Sequence, residues 1–66
     1  MNTTLIGNRL VELRGKRSQE QVAAAVDISV SALSMYEQGN RVPRDDIKIK
    51  LANYFGVSVQ SLFFNF

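Results

Sequence analysis

The stretch from Ser18 to Gly39 reads SQEQVAAAVDISVSALSMYEQG and leaves room for little except two short helices and a tight connection. Ser18 and Gln21 have the spacing of a capping box, in which a hydroxyl and an amide satisfy each other's orphan backbone donors at a helix start. Val22, Ala23 and Val26 then recur at three- and four-residue intervals, which places them on one face. Asp27-Ile28-Ser29 interrupts that face. Ser29 is a good N-cap for a second helix, and Gly39 is a good stop because it takes positive φ without a Cβ penalty. The pattern predicts helices over about 19–26 and about 30–38, the layout of a helix-turn-helix. Helices of this length are unstable alone, so the remaining residues must hold them.

Those residues supply three more helical segments. Ile6, Leu10 and Leu13 form a buried stripe over about 4–14, with Asn2, Thr3 or Thr4 as cap and Gly15 as stop. Asp45 or Asp46 is placed to cap a fourth helix that ends at Gly56, with Ile47, Leu51, Ala52 and Phe55 inward and Ile49 outward between Lys48 and Lys50. Ser58 caps a last short helix from Val59 to about Phe64, with Leu62 as its core residue. The expectation is an all-α, compact five-helix fold in a single domain over residues 1–66. The end, Leu62-Phe63-Phe64-Asn65-Phe66, carries more aromatic surface than so small a domain can enclose, so Phe63, Phe64 and Phe66 are expected at a contact between two copies.

Composition narrows the function. The chain has no Cys and no His, which removes thiolate nucleophiles, the usual zinc clusters and the commonest general base; no catalytic residue, metal site or cofactor is expected, and the chain reads as no enzyme. No apolar run approaches the roughly 18–20 residues of a membrane span. Asn2-Thr3-Thr4 is no signal peptide, so a soluble cytoplasmic protein is expected, with neither a membrane nor a small-molecule substrate as partner. Eight Lys and Arg against six Asp and Glu give a net charge of +2, mild in itself. Placement says more: Arg14, Lys16 and Arg17 precede the helix pair, and Arg41 and Arg44 follow it.

A helical wheel divides the second helix of the pair. Ala32, Leu33 and Tyr36 fall within an arc of about 100°. The opposite arc holds Val30, Ser31, Ser34 and Gln38, with Met35 and Glu37 on its flanks. A solvated face would carry more Lys and Glu; this one is small, mixed and nearly uncharged, as suits a surface that touches something.

Beyond these local features, the chain resembles the lambda-repressor and Cro type of helix-turn-helix, often called Xre-like. The matching strings are Ile6-Gly7-Asn8-Arg9-Leu10-Val11-Glu12-Leu13-Arg14, Ser18-Gln19-Glu20-Gln21-Val22-Ala23, Ile28 through Pro43, and Leu51-Ala52-Asn53-Tyr54-Phe55-Gly56-Val57-Ser58, nearly the whole chain. The resemblance implies a five-helix fold, with Val30, Ser31, Ser34 and Met35 toward base edges. It implies phosphate contacts from Gln19, Ser29, Asn40, Arg41 and Arg44, and the basic bracket adds Arg17. Two departures stand out: Gly15-Lys16-Arg17 is a short link, and Asp27 occupies the usual turn-glycine position.

A physical case for duplex DNA stands beside the resemblance. A major groove about 12 Å wide admits one helix. Such a helix needs a lightly polar tip and cations at its shoulders, where phosphates lie. None of the four reading side chains makes a bidentate pair with a base; Val30 and Met35 suit thymine methyls, the serines are permissive, and Gln38 is a possible adenine reader. The expected function is a sequence-specific double-stranded DNA-binding transcriptional regulator, a repressor by family habit. A homodimer on a pseudopalindromic site is its expected assembly. The competing expectation is a protein-interaction module, antitoxin-like or a regulator's partner, that uses the Phe-rich end and exposed Ile49.

Overall fold

In the computed structural model, which describes residues 2–64, α1 (Thr3–Arg14) begins where the Asn2 side chain accepts a hydrogen bond from the Leu5 N–H, and it stops at Gly15. The pair follows as α2 (Gln19–Ala25) and α3 (Val30–Glu37). Each is headed by a serine in extended conformation: the Ser18 hydroxyl accepts from the Gln21 N–H, and the Ser29 hydroxyl from the Ala32 N–H. Only this half of the expected capping box forms, because the Gln21 side chain makes no return bond among the described residues. Asp27 carries the turn at φ 59°, a left-handed conformation that Asp tolerates better than most residues with a Cβ. α4 (Asp45–Phe55) follows the loop, and a single wide π-helical turn, Gln60–Phe64, completes an all-helical fold of five helices among the described residues. No helix among the described residues is long and apolar enough to cross a membrane.

α4 corrects one expectation at its start. Arg44 occupies the cap position, and no side chain caps the helix. Asp45 and Asp46 lie instead in the first turn, where carboxylates favour the positive end of the helix dipole.

The core has two parts. The larger joins Ile6 and Leu10 of α1, Val26, Tyr36 of α3, Ile47, Leu51 and Ala52 of α4, and Leu62 and Phe63 of the final turn. The smaller, Val22, Ala23 and Leu33, packs α2 on α3, and half-buried Ile28, Tyr54 and Phe55 touch both. Phe63 is fully buried, which overturns its assignment to a surface between copies. The final turn packs on α1 and brings its rings to α4, with Lys48 Nζ 5.8 Å from the Phe63 ring centre and 5.0 Å from that of Phe64. Lys48 is therefore buried, its charge 3.5 Å from Asp45 Oδ1, and does not stand outward beside Ile49. The backbone carbonyls of Ser61 and Leu62 accept from the Arg9 guanidinium, which ties this turn to α1.

Gly7 sets how closely α1 lies on α3. A methyl group there would overlap the Glu37 carbonyl and stand 3.0 Å from that of Tyr36. Gly39 continues the contact at φ 76°, with its α-carbon region against the Thr3 backbone. Gly7→Ala should therefore lower stability by about 2–3 kcal/mol through overpacking. Thermal unfolding should show this as a fall in Tm of roughly 10–20 °C. An unchanged Tm would mean that α1 does not lie on the last turn of α3.

Candidate nucleic-acid interface

α3 turns Leu33 and Tyr36 into the core and leaves its other side open. Val30 and Met35 are 38% and 43% exposed, Ser31 and Gln38 are exposed, and Ser34 is half-buried. The polar groups here are tied to one another. Asn40 Nδ2 donates to Gln38 Oε1 at 3.1 Å, and Gln38 Nε2 donates to Ser34 Oγ at 2.9 Å. With its oxygen already accepting, the Ser34 hydroxyl keeps its own proton to donate outward. Gln38 gives one amide proton and one lone pair to its neighbours and keeps a second of each.

One end of this face is anchored by Glu37, whose side chain is 6% exposed. Arg14 grips it with two bonds, Nε to Oε2 at 2.7 Å and Nη2 to Oε1 at 3.2 Å, and Gln19 Nε2 donates to Oε1 at 2.8 Å. The hydrogen bond to Glu37 raises the Arg14 guanidinium above its ordinary value against the opposing effect of burial. Gln19, expected at a phosphate, gives one amide proton to Glu37 and keeps a second proton to offer outward.

Arg17, expected at a phosphate, is engaged within the fold instead of being left open. Its guanidinium donates to the carbonyls of Leu13 at 2.6 Å and Arg14 at 3.2 Å. It also packs 5.1 Å from the Tyr54 ring centre and 5.3 Å from that of Phe55. The free carbonyls at the end of α1 and two aromatic faces draw it inward. The basic group before the pair is thus largely structural: Arg14 and Arg17 hold the fold, and Lys16 is left exposed.

The loop after α3 differs. Asn40, Arg41 and Arg44 are all exposed around buried Pro43. Arg41 has no side-chain partner among the described residues, and Arg44 makes only an exposed 3.6 Å pair with Asp46, a kind of contact worth little in water. Ser29, at the head of α3, can still donate its hydroxyl proton, since its oxygen is the accepting atom of the cap. Ser29, Arg41 and Arg44 line one cleft beside α3, and Asn40 is tied to Gln38 at the end of the helix. Of the aromatics expected at a contact between copies, Phe64 is 53% exposed, and Phe66 lies outside the described residues.

A helix-turn-helix family model matches residues 10–62, most of the chain. The chain belongs to the lambda-repressor and Cro type of helix-turn-helix family. Neither a comparison with curated proteins nor one with solved structures returns a match. Membership in this helix-turn-helix family supports a DNA-binding helix-turn-helix regulator and implies double-stranded DNA as its partner.

Reading the helix pair by its local pattern passes over Glu37 as an anchor, although a signal is present. A carboxylate in the last turn of a helix opposes the dipole and calls for a cation. Removing either Arg14 or Glu37 should cost about 2–4 kcal/mol, because each leaves a largely buried charge without its counter-ion. In denaturant unfolding, the Arg14→Ala, Glu37→Ala double variant should lose little more than either single one. Losses that simply add would contradict the pairing.

Proposed function

We propose that this chain is a sequence-specific repressor that binds duplex DNA as a homodimer on a pseudopalindromic site, with α3 in the major groove. One observation carries the reading: the open face of α3, with Val30, Ser31, Ser34 and Met35, bears no charge, while Arg41 and Arg44 stand exposed beside it. A groove floor of base edges suits the first, and flanking phosphates suit the second. Val30 and Met35 reach thymine methyls by apolar contact, and Ser31 and Ser34 meet acceptor atoms on base edges. Gln19, Ser29, Asn40, Arg41 and Arg44 contact the backbone.

A module this small gains affinity by pairing two half-sites about one helical turn apart. Phe64 is the exposed aromatic offered for the contact between copies, and the site of action is the cytoplasm. Repression follows from simple occlusion: a protein seated in the groove over a promoter blocks the polymerase.

The two kinds of contact should separate by mutation. Arg41→Ala or Arg44→Ala should weaken binding to all duplexes alike and lower the slope of log affinity against log salt by about one. Ser31→Ala and Met35→Ala should instead reorder the preferred sequences in a selection from random duplexes. That selection on the native chain should return an inverted repeat. Uniform losses from both kinds of change would contradict the groove assignment, and an unsymmetrical motif would contradict the dimer.

A further inference from the structure

Between the α2–α3 turn and the loop after α3 lies an open cleft of about 340 Å³. Ser29, Tyr36, Arg41 and Arg44 line it, with Asp27 on the turn side. Tyr36 is only 5% exposed and belongs to the main core. Its hydroxyl has no hydrogen-bond partner among the described residues. Yet no side-chain N or O atom sealed from solvent lacks a partner among them. The hydroxyl therefore keeps contact with solvent at the end of an otherwise enclosed ring, and the cleft is the open space that Tyr36 lines.

A phenolic O–H that reaches solvent only through such a cleft is a fixed donor, held by a buried ring, that can exchange its water for a stronger acceptor. A phenylalanine would fill the same core space and offer no donor to the cleft. The neighbours define the acceptor. Arg41 and Arg44 present guanidinium donors, and Ser29 has a hydroxyl proton to give because its oxygen already accepts from the Ala32 N–H. Ser29 also heads α3, and a helix N-terminus favours negative charge. All of these groups donate, so the complementary guest is an oxyanion, and phosphate is the one that guanidinium groups pair with best. The Asp27 carboxylate confines it to the arginine side.

We infer that this cleft seats one backbone phosphate of bound DNA, with the Tyr36 hydroxyl as the buried donor at its floor. This rests on the DNA-binding reading and adds a neutral contact from within the core. Tyr36 belongs to the same rigid helix as Val30, Ser31 and Ser34. The phosphate seat thus fixes how deeply that helix enters the groove.

Tyr36→Phe removes the donor and keeps the ring. Affinity should fall about 5- to 20-fold, equally for selected and random duplexes. The salt slope should not change, since no cation is lost, in contrast to Arg41→Ala. The Tm should stay level or rise. Replacing backbone phosphates one at a time by neutral methylphosphonate should reveal one position that weakens both proteins through the lost arginine pairing, and the native protein by a larger factor than Tyr36→Phe. If native protein binds duplex and Tyr36→Phe binds equally well, this inference alone fails. If native protein binds no duplex at low salt, the proposed function fails and takes the phosphate seat with it. Displacement of duplex by inorganic phosphate at constant ionic strength, with no sensitive backbone position, would assign the cleft to free phosphate and overturn the DNA contact.

Discussion

Glu37 places a nearly buried carboxylate at the end of α3 that the helix dipole makes negative. Such a group is stable there only with strong donors, and α1 and α2 each bring one, Arg14 and Gln19. The pair does more than neutralise a charge. An eight-residue helix has little intrinsic stability, so the orientation of α3 is set from outside. The bidentate grip of Arg14 fixes direction, and the missing side chain at Gly7 fixes distance. With its inner face and last turn occupied, α3 has one surface left for a partner.

The same demand explains how the cations are divided. Before the helix pair, Arg14 and Arg17 satisfy a carboxylate, chain-end carbonyls and two aromatic faces. Lys48 is taken up in the same way between Asp45 and two phenylalanine rings. After the pair, Arg41 and Arg44 are left at the edge of the α3 face. A modest net charge of +2 thus becomes a local one, with positive groups beside an uncharged helix face. On the proposed function, stability and recognition draw on different arginines, so their effects should separate by mutation.

Local chemistry made much of this legible. Asn2, Ser18 and Ser29 cap helices because the accepting side chain and the donating N–H lie within three residues. The inward faces of α3 and α4 follow from their apolar spacing. What escaped depends on distant parts of the chain. Arg14 and Glu37 are 23 residues apart, and no periodicity links them. Phe63 and Lys48 are buried because the final turn packs back on α1 and brings its rings to α4, a choice made by packing and by the Arg9 contacts rather than by the helical period. Gly7 did leave a trace, since a mid-helix glycine costs about 1 kcal/mol relative to alanine and so marks a place where backbones must meet.

The central claim is that the outer side of α3, bordered by the loop arginines, is the surface that meets DNA. Backbone amide chemical shifts recorded during titration with a short duplex test it residue by residue. The account predicts that the largest changes fall on residues 29–35 and 40–44, with residues 3–13 of α1 and 46–52 of α4 nearly silent. Changes centred on Ile49 and Phe64, with α3 undisturbed, would contradict it.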